Sequence, residues 1–456
     1  MFISDKIDAF RRGALDIDCK KMILTQRQEN GERYEGQGYI RQDEDGDLVF
    51  KLYVAKYENT EPLKTLLRPF SPGKLRPEDT YYNLAATDRN GTTWTASHIM
   101  AAIDWDASDR SALARGTLLS IVAHSDRHGI PNYLRLHFFE EYRIPIHLMT
   151  KSEDGDKVSH VMDRAEFEAC GCKFEVRVRE GSGDTIIDAR SEAPLPTGFH
   201  LRVQEALQFI SGKPAMWRAR TETKGDEHIL ELGSPTKQSP GTQFLPPISP
   251  VSYTHSQRDW DLFSHYLAYV VANTDETHWN PVAYHLYNAC VSTANSIDAW
   301  AIGVSIAVEA VSDFIHLPSD SERQKRVALF QDRMRRCLAS HNDFADLAPR
   351  MEGFINAMSN RNVKDTLYAL TENSYVEKSY VKSWEYLRNR HVHPKPSDLK
   401  KPDLADIQTL LNRIHQVEVL LRQVVFYLIG YRGPFTDYGA ENFPLKQYPL
   451  VAATPD

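Results

Sequence analysis

Cysteine is scarce in this chain and has no regular spacing. The 456 residues include five cysteines: Cys19, Cys170, Cys172, Cys290 and Cys337. An odd number of unevenly spaced cysteines argues against a disulfide framework. The one residue between Cys170 and Cys172 is too few for a zinc knuckle, and no partner pair exists. We therefore expect structural thiols in a reducing compartment.

Long apolar runs are also missing. No stretch of 18 residues is both apolar and uncharged, so no transmembrane helix is expected. Near the start of the chain, Asp5, Lys6 and Asp8 interrupt the apolar residues, and no secretory core follows them. Residues 181–184 form a Gly-Ser-Gly-Asp turn without the Gly-Lys-Ser/Thr of a phosphate loop. These absences predict a soluble cytoplasmic protein without a membrane partner, a cofactor or a metal.

The chain has no excess of positive charge. It carries 54 Lys and Arg against 62 Asp and Glu, which gives a net charge of −8. A protein coated in basic charge for non-specific nucleic-acid binding is thereby excluded, so any RNA contact must be local. One basic stretch runs from Arg323 to Arg336. A solvated helix face is the simpler interpretation of it, and a track for an RNA backbone is the alternative.

The first part of the chain has the pattern of short strands separated by turns. Residues 36–40 and 48–55 flank an acidic turn with Gly46, and residues 81–87 and 92–96 flank Asn90-Gly91. Two β-prone runs around such a turn predict a hairpin, because these residues tolerate positive φ. We predict a β-rich, sandwich-like or curled-sheet domain over residues 1–233 with a regulatory or sensing role.

A composition change follows. Residues 234–252 are rich in Ser, Pro, Gly and Thr and predict a linker. Beyond it, apolar residues recur at helical spacing, most clearly over residues 404–429, where Gly430 is placed to end the helix. Residues 253–456 are therefore predicted to form an all-α bundle, and the fold class is α+β.

The stretch that predicts chemistry is Trp384-Glu-Tyr-Leu-Arg388-Asn389-Arg-His391-Val-His393-Pro394. RNA can be cut without a metal when its own 2′-hydroxyl attacks the adjacent phosphorus. His393 is the predicted proton carrier, since the ordinary histidine pKa is about 6.5. Arg388 supplies a planar donor for the phosphate, and Asn389 is a further donor. The alternative without a catalytic role is a helix end capped by basic side chains.

Spacing restricts how these residues can act together. Arg388 and His393 are five residues apart, which is roughly 140° around an ideal α-helix. They cannot share one face of a straight helix. Either the chain unwinds between them, or other elements complete the site.

At these residues the sequence resembles the HEPN ribonucleases, whose motif is Arg-x(4–6)-His with a polar residue, often Asn, after the arginine. Residues 299–311, which include Glu309, resemble the family's early helix with an acidic residue. The order of segments resembles ApeA-like proteins of bacterial antiphage defence, in which a β-rich domain precedes the HEPN domain. The supporting stretches are residues 36–50, 73–94, 202–217 and 429–438.

The resemblance implies a metal-independent endoribonuclease of abortive infection that cuts RNA, with tRNA among the targets known for the family. It implies a homodimer or higher homo-oligomer whose motifs meet in one cleft, and a phage component sensed by the N-terminal domain. Arg388, Asn389 and His393 are then the catalytic residues. Glu309 is expected to hydrogen-bond the arginine or histidine, or else to be a satisfied partly buried acid. His391 stays open as a second proton carrier.

Two further functions remain open at this stage. One is a non-catalytic HEPN protein that binds RNA or nucleotide, or senses phage. The other is a metal-dependent hydrolase built on His124, Asp126 and His128, although these residues equally suit a polar loop.

Overall fold

The structure is a computed structural model. It describes residues 3–59, 73–106, 111–126, 132–154, 157–179, 183–236, 241–274, 278–317, 321–340, 347–358, 362–392 and 404–450. The chain divides into two compact units. The sheet unit comprises Met1–Leu207, Ala215–Gln238 and Thr254–Trp260, and the helical unit comprises Gln208–Pro214, Ser239–Tyr253 and Asp261–Asp456.

The sheet unit is built on antiparallel strands. Its strands, in chain order, are β1 Asp16–Gln26, β2 Arg33–Gln42, β3 Leu48–Glu58, β4 Tyr82–Asp88, β5 Thr93–Ile99, β6 Ala102–Asp106, β7 Ser111–Leu118, β8 Ser120–Asp126, β9 Asn132–Phe138, β10 Leu148–Asp154, β11 Lys157–Ala169, β12 Cys172–Val178, β13 Thr185–Ser191, β14 Ala219–Lys224 and β15 Glu227–Gly233. They join in one hydrogen-bonded order, β10-β11-β12-β13-β9-β14-β15-β8-β5-β4-β1-β2-β3-β7-β6. This order bears out the antiparallel, β-rich part of the prediction.

Both hairpins predicted from the sequence are confirmed. Strands β2 and β3 pair from Gln42 opposite Leu48, and β4 and β5 pair from Thr87 opposite Thr93. In the second turn, Asp88 Oδ1 accepts the backbone N–H groups of residues 90 and 92 at 2.9 Å. Gly91 has φ +89°, which a glycine adopts without strain.

The core of the sheet unit follows from the two-residue alternation of its strands. On β1, Ile17 and Cys19 are buried, and Met22 and Leu24 continue the buried face after an irregularity in the strand pairing between Cys19 and Met22. Trp94 on β5 is among the largest fully buried side chains of the described residues. Because successive residues point to opposite faces, one apolar face of each such strand is removed from water.

Most of the described helices lie in the helical unit. Helix α1 Ile3–Arg11 belongs to the sheet unit, and α2 Phe199–Ser211 begins there and ends in the helical unit. The helices that follow are α3 Asp261–Ala272, α4 Pro281–Ser292, α5 Ile297–Ser312, α6 Ser321–Ala339, α7 Ala348–Ala357, α8 Val363–Glu372, α9 Lys378–Leu387 and α10 Leu404–Leu428. A π-helical turn, Arg388–Val392, continues α9, and a short hairpin of β16 Gly433–Thr436 and β17 Leu445–Tyr448 follows α10. The coarse α+β prediction, a large antiparallel sheet followed by helices, is therefore confirmed.

The predicted long helix is confirmed as α10. Its apolar stripe is buried, with Ile414, Val417 and Leu421 at most 1% exposed. Gly430 ends it with φ +64°, the conformation that closes many helices. No described helix has the length and apolar character needed to cross a membrane.

The proline-rich segment predicted as a linker is divided between the units. Its residues from Ser239 to Tyr253 belong to the helical unit. Within that unit, Phe244 N–H donates to Gly212 O at 2.6 Å and Ser249 N–H donates to Thr436 Oγ1 at 2.8 Å. This part of the segment is therefore packed against the helical unit.

Candidate active site

Helix α5 brings Glu309 to the candidate site. Ser296 caps the helix start by accepting the N–H of Ala299 at 3.1 Å. Val304, Val308 and Val311 are fully buried and fix the face that α5 turns toward the bundle. Glu309 lies beside this face, and its side chain is about a third exposed (31%).

Helix α9 carries the site arginine at its end. Trp384 is buried and donates its indole N–H to Ser305 O of α5 at 3.2 Å. One turn earlier, Tyr380 donates its hydroxyl to Asp437 Oδ1 at 2.7 Å. Ser383, next to Trp384, donates its hydroxyl to Gln416 Oε1 of α10 at 2.6 Å. These contacts attach α9 to α5, to α10 and to the terminal hairpin, so the position of residue 388 is determined by buried bonds upstream.

The structure brings Arg388 and Glu309 together across the two helices. Arg388 Nε donates to Glu309 Oε1 at 2.5 Å. The guanidinium also lies 6.0 Å from the ring centroid of Trp384, at the outer limit of a cation–π contact. A guanidinium has five N–H donors, so one bond at Nε leaves donors for a phosphate while the carboxylate fixes the plane of the group.

A cleft of ≈ 580 Å³ opens at this pair. Its lining includes the exposed side chain of Asn389, so three of the four predicted site residues, Glu309, Arg388 and Asn389, line it. The described lining residues are Glu309, Asp313, Asn362, Val363, Lys364, Trp384, Glu385, Arg388 and Asn389. Helices α5, α8 and α9 and the π turn thus contribute to one concave surface.

Sequence reasoning missed a second cation in the cleft. Lys364, in the first turn of α8, forms an ion pair with Glu385 at 2.7 Å. The hydrogen bond to Glu385 raises the pKa of Lys364 above its usual value. The only local indication was Asn362-Val-Lys-Asp365, a helix-start pattern in which Asn362 accepts the N–H of Asp365 at 2.9 Å.

The charges of the described lining nearly cancel. Two cations, Lys364 and Arg388, face three carboxylates, those of Glu309, Asp313 and Glu385. Both cations are paired within the cleft, so an anionic ligand must compete with carboxylates for them. Residues 325–336 of the predicted basic stretch that the structure describes are not among the lining residues.

The winding of the chain at the motif differs from a straight α-helix. Residues 388–392 form a π turn, in which hydrogen bonds run from residue i to i+5, so residues five apart are about one turn apart. The 140° separation derived for an ideal helix therefore does not apply from Arg388 onward. His393 and Pro394 lie outside the described residues.

His391 has a buried environment. Its side chain is 7% exposed, and Nδ1 lies 3.1 Å from Asp298 Oδ1 at the start of α5. The Nε2 atom is shielded from solvent. In this arrangement His391 ties the π turn to α5, and its ring does not reach the cleft surface as a proton carrier must.

The alternative metal site is not assembled in the described residues. His124 Nδ1 lies 2.7 Å from Glu227 Oε1 on the neighbouring strand β15, and His128 lies outside the described residues. Over the described ranges, no group of three or more His, Cys, Asp or Glu side chains is placed to hold a metal ion.

Comparisons with known proteins identify no family for this chain. No protein-family model, no curated protein and no solved structure matches the chain significantly. The case for a function therefore rests on the residues and their placement.

Proposed function

We propose that the protein is a metal-independent endoribonuclease of antiviral defence, with its active site in the cleft at Arg388. The observation that carries the proposal is the Arg388–Glu309 pair at 2.5 Å in a cleft that also holds Asn389. An arginine oriented by a carboxylate is suited to bind a phosphodiester through two donors and to stabilise charge on the phosphorane.

The roles follow from the chemistry of RNA. His393 removes the 2′-hydroxyl proton or protonates the leaving 5′ oxygen, Arg388 holds the phosphate, and Asn389 donates to a phosphate oxygen. Glu309 orients the guanidinium and keeps its charge fixed, and Lys364 neutralises a neighbouring phosphate of the strand. The oxygen that attacks is the 2′ oxygen, so the products are a 2′,3′-cyclic phosphate and a 5′-hydroxyl end.

Purified protein with a radiolabelled RNA and excess chelator tests this chemistry. Cleavage that persists in chelator and leaves 5′-hydroxyl ends supports the proposal. Cleavage that requires a divalent ion, or that leaves 5′-phosphate ends, contradicts it, since those ends belong to attack by a metal-activated water.

The dimeric site implied by the resemblance has its own test. Each of Arg388→Ala and His393→Ala is expected to cleave RNA far more slowly than the wild type when it is present alone. When the two variants are mixed, one protomer supplies Arg388 and the other supplies His393, so a shared site regains part of its activity. If the two variants exchange subunits and the mixture still does not cleave RNA, a shared site is contradicted. The same chemistry in a site formed by one chain would not be contradicted.

A non-catalytic binding function is the second candidate. No histidine is among the described residues that line the cleft, and both of its cations are already paired. A binding protein for RNA or nucleotide needs only these cations. It predicts RNA affinity without turnover, and biological function that survives His393→Ala.

A further inference from the structure

The clearest unexplained surface of the helical unit is the hairpin of α6 and α7. The two helices contact each other through Gln331 Nε2, which donates to Ile355 O at 2.5 Å, and through Arg335, which donates to Asn356 at 2.6 Å. Among the described side chains of these helices, only Gln331 and Ile355 are buried. Most of the described surface of these two helices is therefore exposed.

Four large exposed apolar side chains follow one another along α7 and the residues that flank its two ends. Leu347, Met351, Phe354 and Met358 are 46%, 37%, 63% and 45% exposed. Their spacing of four, three and four residues is the a/d repeat of a helix that packs against another helix. We call these four residues the α7 seam. Single exposed apolar residues are ordinary, but a continuous stripe at this spacing indicates an interaction surface.

The hairpin is basic. Its described charged residues are six cations (Lys325, Arg326, Arg333, Arg335, Arg336 and Arg350) and two acids (Asp332 and Glu352), whereas the whole chain carries −8. Arg350 lies one residue before Met351, at the position that flanks an a/d stripe. Such a surface favours an acidic partner through complementary charge.

The composition of the α7 seam argues against three other kinds of partner: a second copy of the chain, single-stranded RNA and a membrane surface. A second copy docked by a two-fold axis would set this basic hairpin against itself, which costs free energy. Single-stranded RNA binds through rows of aromatic rings, and the seam has one aromatic residue, Phe354. A membrane-surface helix needs a broader apolar face than one a/d stripe.

We infer that the α7 seam is a docking site for an amphipathic α-helix of another protein that carries acidic residues beside its apolar stripe. The incoming helix places its own apolar side chains between Met351, Phe354 and Met358, and its acids lie toward Arg350. The inference does not depend on what the cleft does.

A synthetic helical peptide with Leu at a and d and Glu at e and g tests the inference on the full-length protein. Fluorescence anisotropy is expected to show binding that weakens with salt. A peptide with Lys in place of Glu is expected to bind at least tenfold more weakly. Phe354→Ser and Met351→Ser are each expected to lose at least tenfold in affinity. The control is Leu404→Ser, which removes an 84% exposed leucine outside the seam and is expected to bind like the wild type.

Several results overturn the inference. They are equal binding of the Glu and Lys peptides, unchanged binding by Phe354→Ser with its helical circular dichroism intact, and equal loss by Leu404→Ser. Other occupants are tested with the same variants. A homodimer that Phe354→Ser dissociates in sedimentation, or seam-dependent binding of a uridine oligonucleotide or of phosphatidylglycerol vesicles, would assign the surface to that occupant instead.

Discussion

Arg388 Nε and Glu309 Oε1 lie 2.5 Å apart although 79 residues separate them in the chain. The pair joins the π turn to α5 inside the candidate cleft. Both side chains remain partly exposed, 39% and 31%, so the pair is accessible to a ligand and its contribution to stability is small. We therefore expect its loss to change function more than folding.

The first prediction concerns the arginine. Arg388→Ala is expected to lower RNA cleavage by about 10²–10³-fold, the usual effect of removing one donor to developing charge. Arg388→Lys is expected to recover little, because an ammonium lacks the planar two-donor geometry. Single-turnover cleavage rates measure this effect. Arg432→Ala, an exposed arginine outside the cleft lining, is the control. An Arg388→Ala enzyme as fast as the control would remove Arg388 from the mechanism.

The second prediction concerns Lys364 and its partner. Glu385→Gln removes the carboxylate that holds Lys364, so RNA is expected to bind more tightly. Lys364→Ala is expected to weaken binding and to reduce the slope of log affinity against log salt by about one. Anisotropy titrations at several salt concentrations in a His393→Ala background measure both effects without turnover. An unchanged salt slope for Lys364→Ala would show that this lysine does not contact phosphate.

The third prediction concerns acid stability of the sheet unit. Burial lowers the pKa of His137 to about 4, and burial with nearby Arg220 lowers the pKa of His200 to about 3, both from 6.5. Between pH 6.5 and these values the unfolded chain binds more protons than the folded chain. The stability that each neutral buried histidine contributes is therefore fully present above pH 6.5. It is lost as the pH falls toward the folded-state pKa of that histidine, by roughly 1.4 kcal/mol per pH unit.

Urea unfolding of wild type and His137→Gln at pH 7.5, 6, 5 and 4.5 measures this dependence. Carboxylates also contribute to acid unfolding, so the difference between the two proteins is the relevant quantity. That difference is expected to narrow or change sign as the pH falls. Parallel curves for the two proteins would mean that the buried histidine titrates alike in both states.

The fourth prediction concerns the anchor of α9. Tyr380 donates to buried Asp437, which also pairs with Lys446 at 2.8 Å. Tyr380→Phe leaves that carboxylate with one donor fewer and is expected to cost about 1–3 kcal/mol of unfolding free energy. Tyr386→Phe, at a partly exposed tyrosine whose hydroxyl accepts from Arg390, is the matched control and is expected to cost less. Denaturant midpoints compare them, and equal midpoints would mean that the buried bond does not hold the helix.

Local features of the fold were readable from the sequence because neighbouring residues determine them. The hairpin at Asn90-Gly91 needed only a turn that tolerates positive φ between two β-prone runs. Helix α10 needed only a periodic apolar stripe and Gly430. The joining of the fifteen described strands of the sheet unit into one order depends on pairings between distant segments, which alternation alone does not determine.

In the candidate site, too, the residues in recognisable local segments were predicted and the contacts between distant segments were not. Arg388, Asn389 and Glu309 were predicted because each lies in a recognisable segment. Lys364 was not predicted, since its partner Glu385 is 21 residues away on another helix and neither residue is unusual in its own segment. The π turn at Arg388 has no sequence pattern of its own. The five-residue spacing had left two arrangements open, a chain that unwinds after Arg388 or a site completed by other elements, and His393 lies outside the described residues.

The most direct measurement is the mapping of RNA 5′-hydroxyl ends in a bacterial host that expresses either the wild type or His393→Ala. We predict a defined set of 5′-hydroxyl ends, together with arrested growth, in the wild-type cells alone. That result would assign the reaction, the RNA target and the proton carrier together. The same ends in both strains, or none in a strain arrested by the wild-type protein, would contradict the proposal of a ribonuclease that depends on His393.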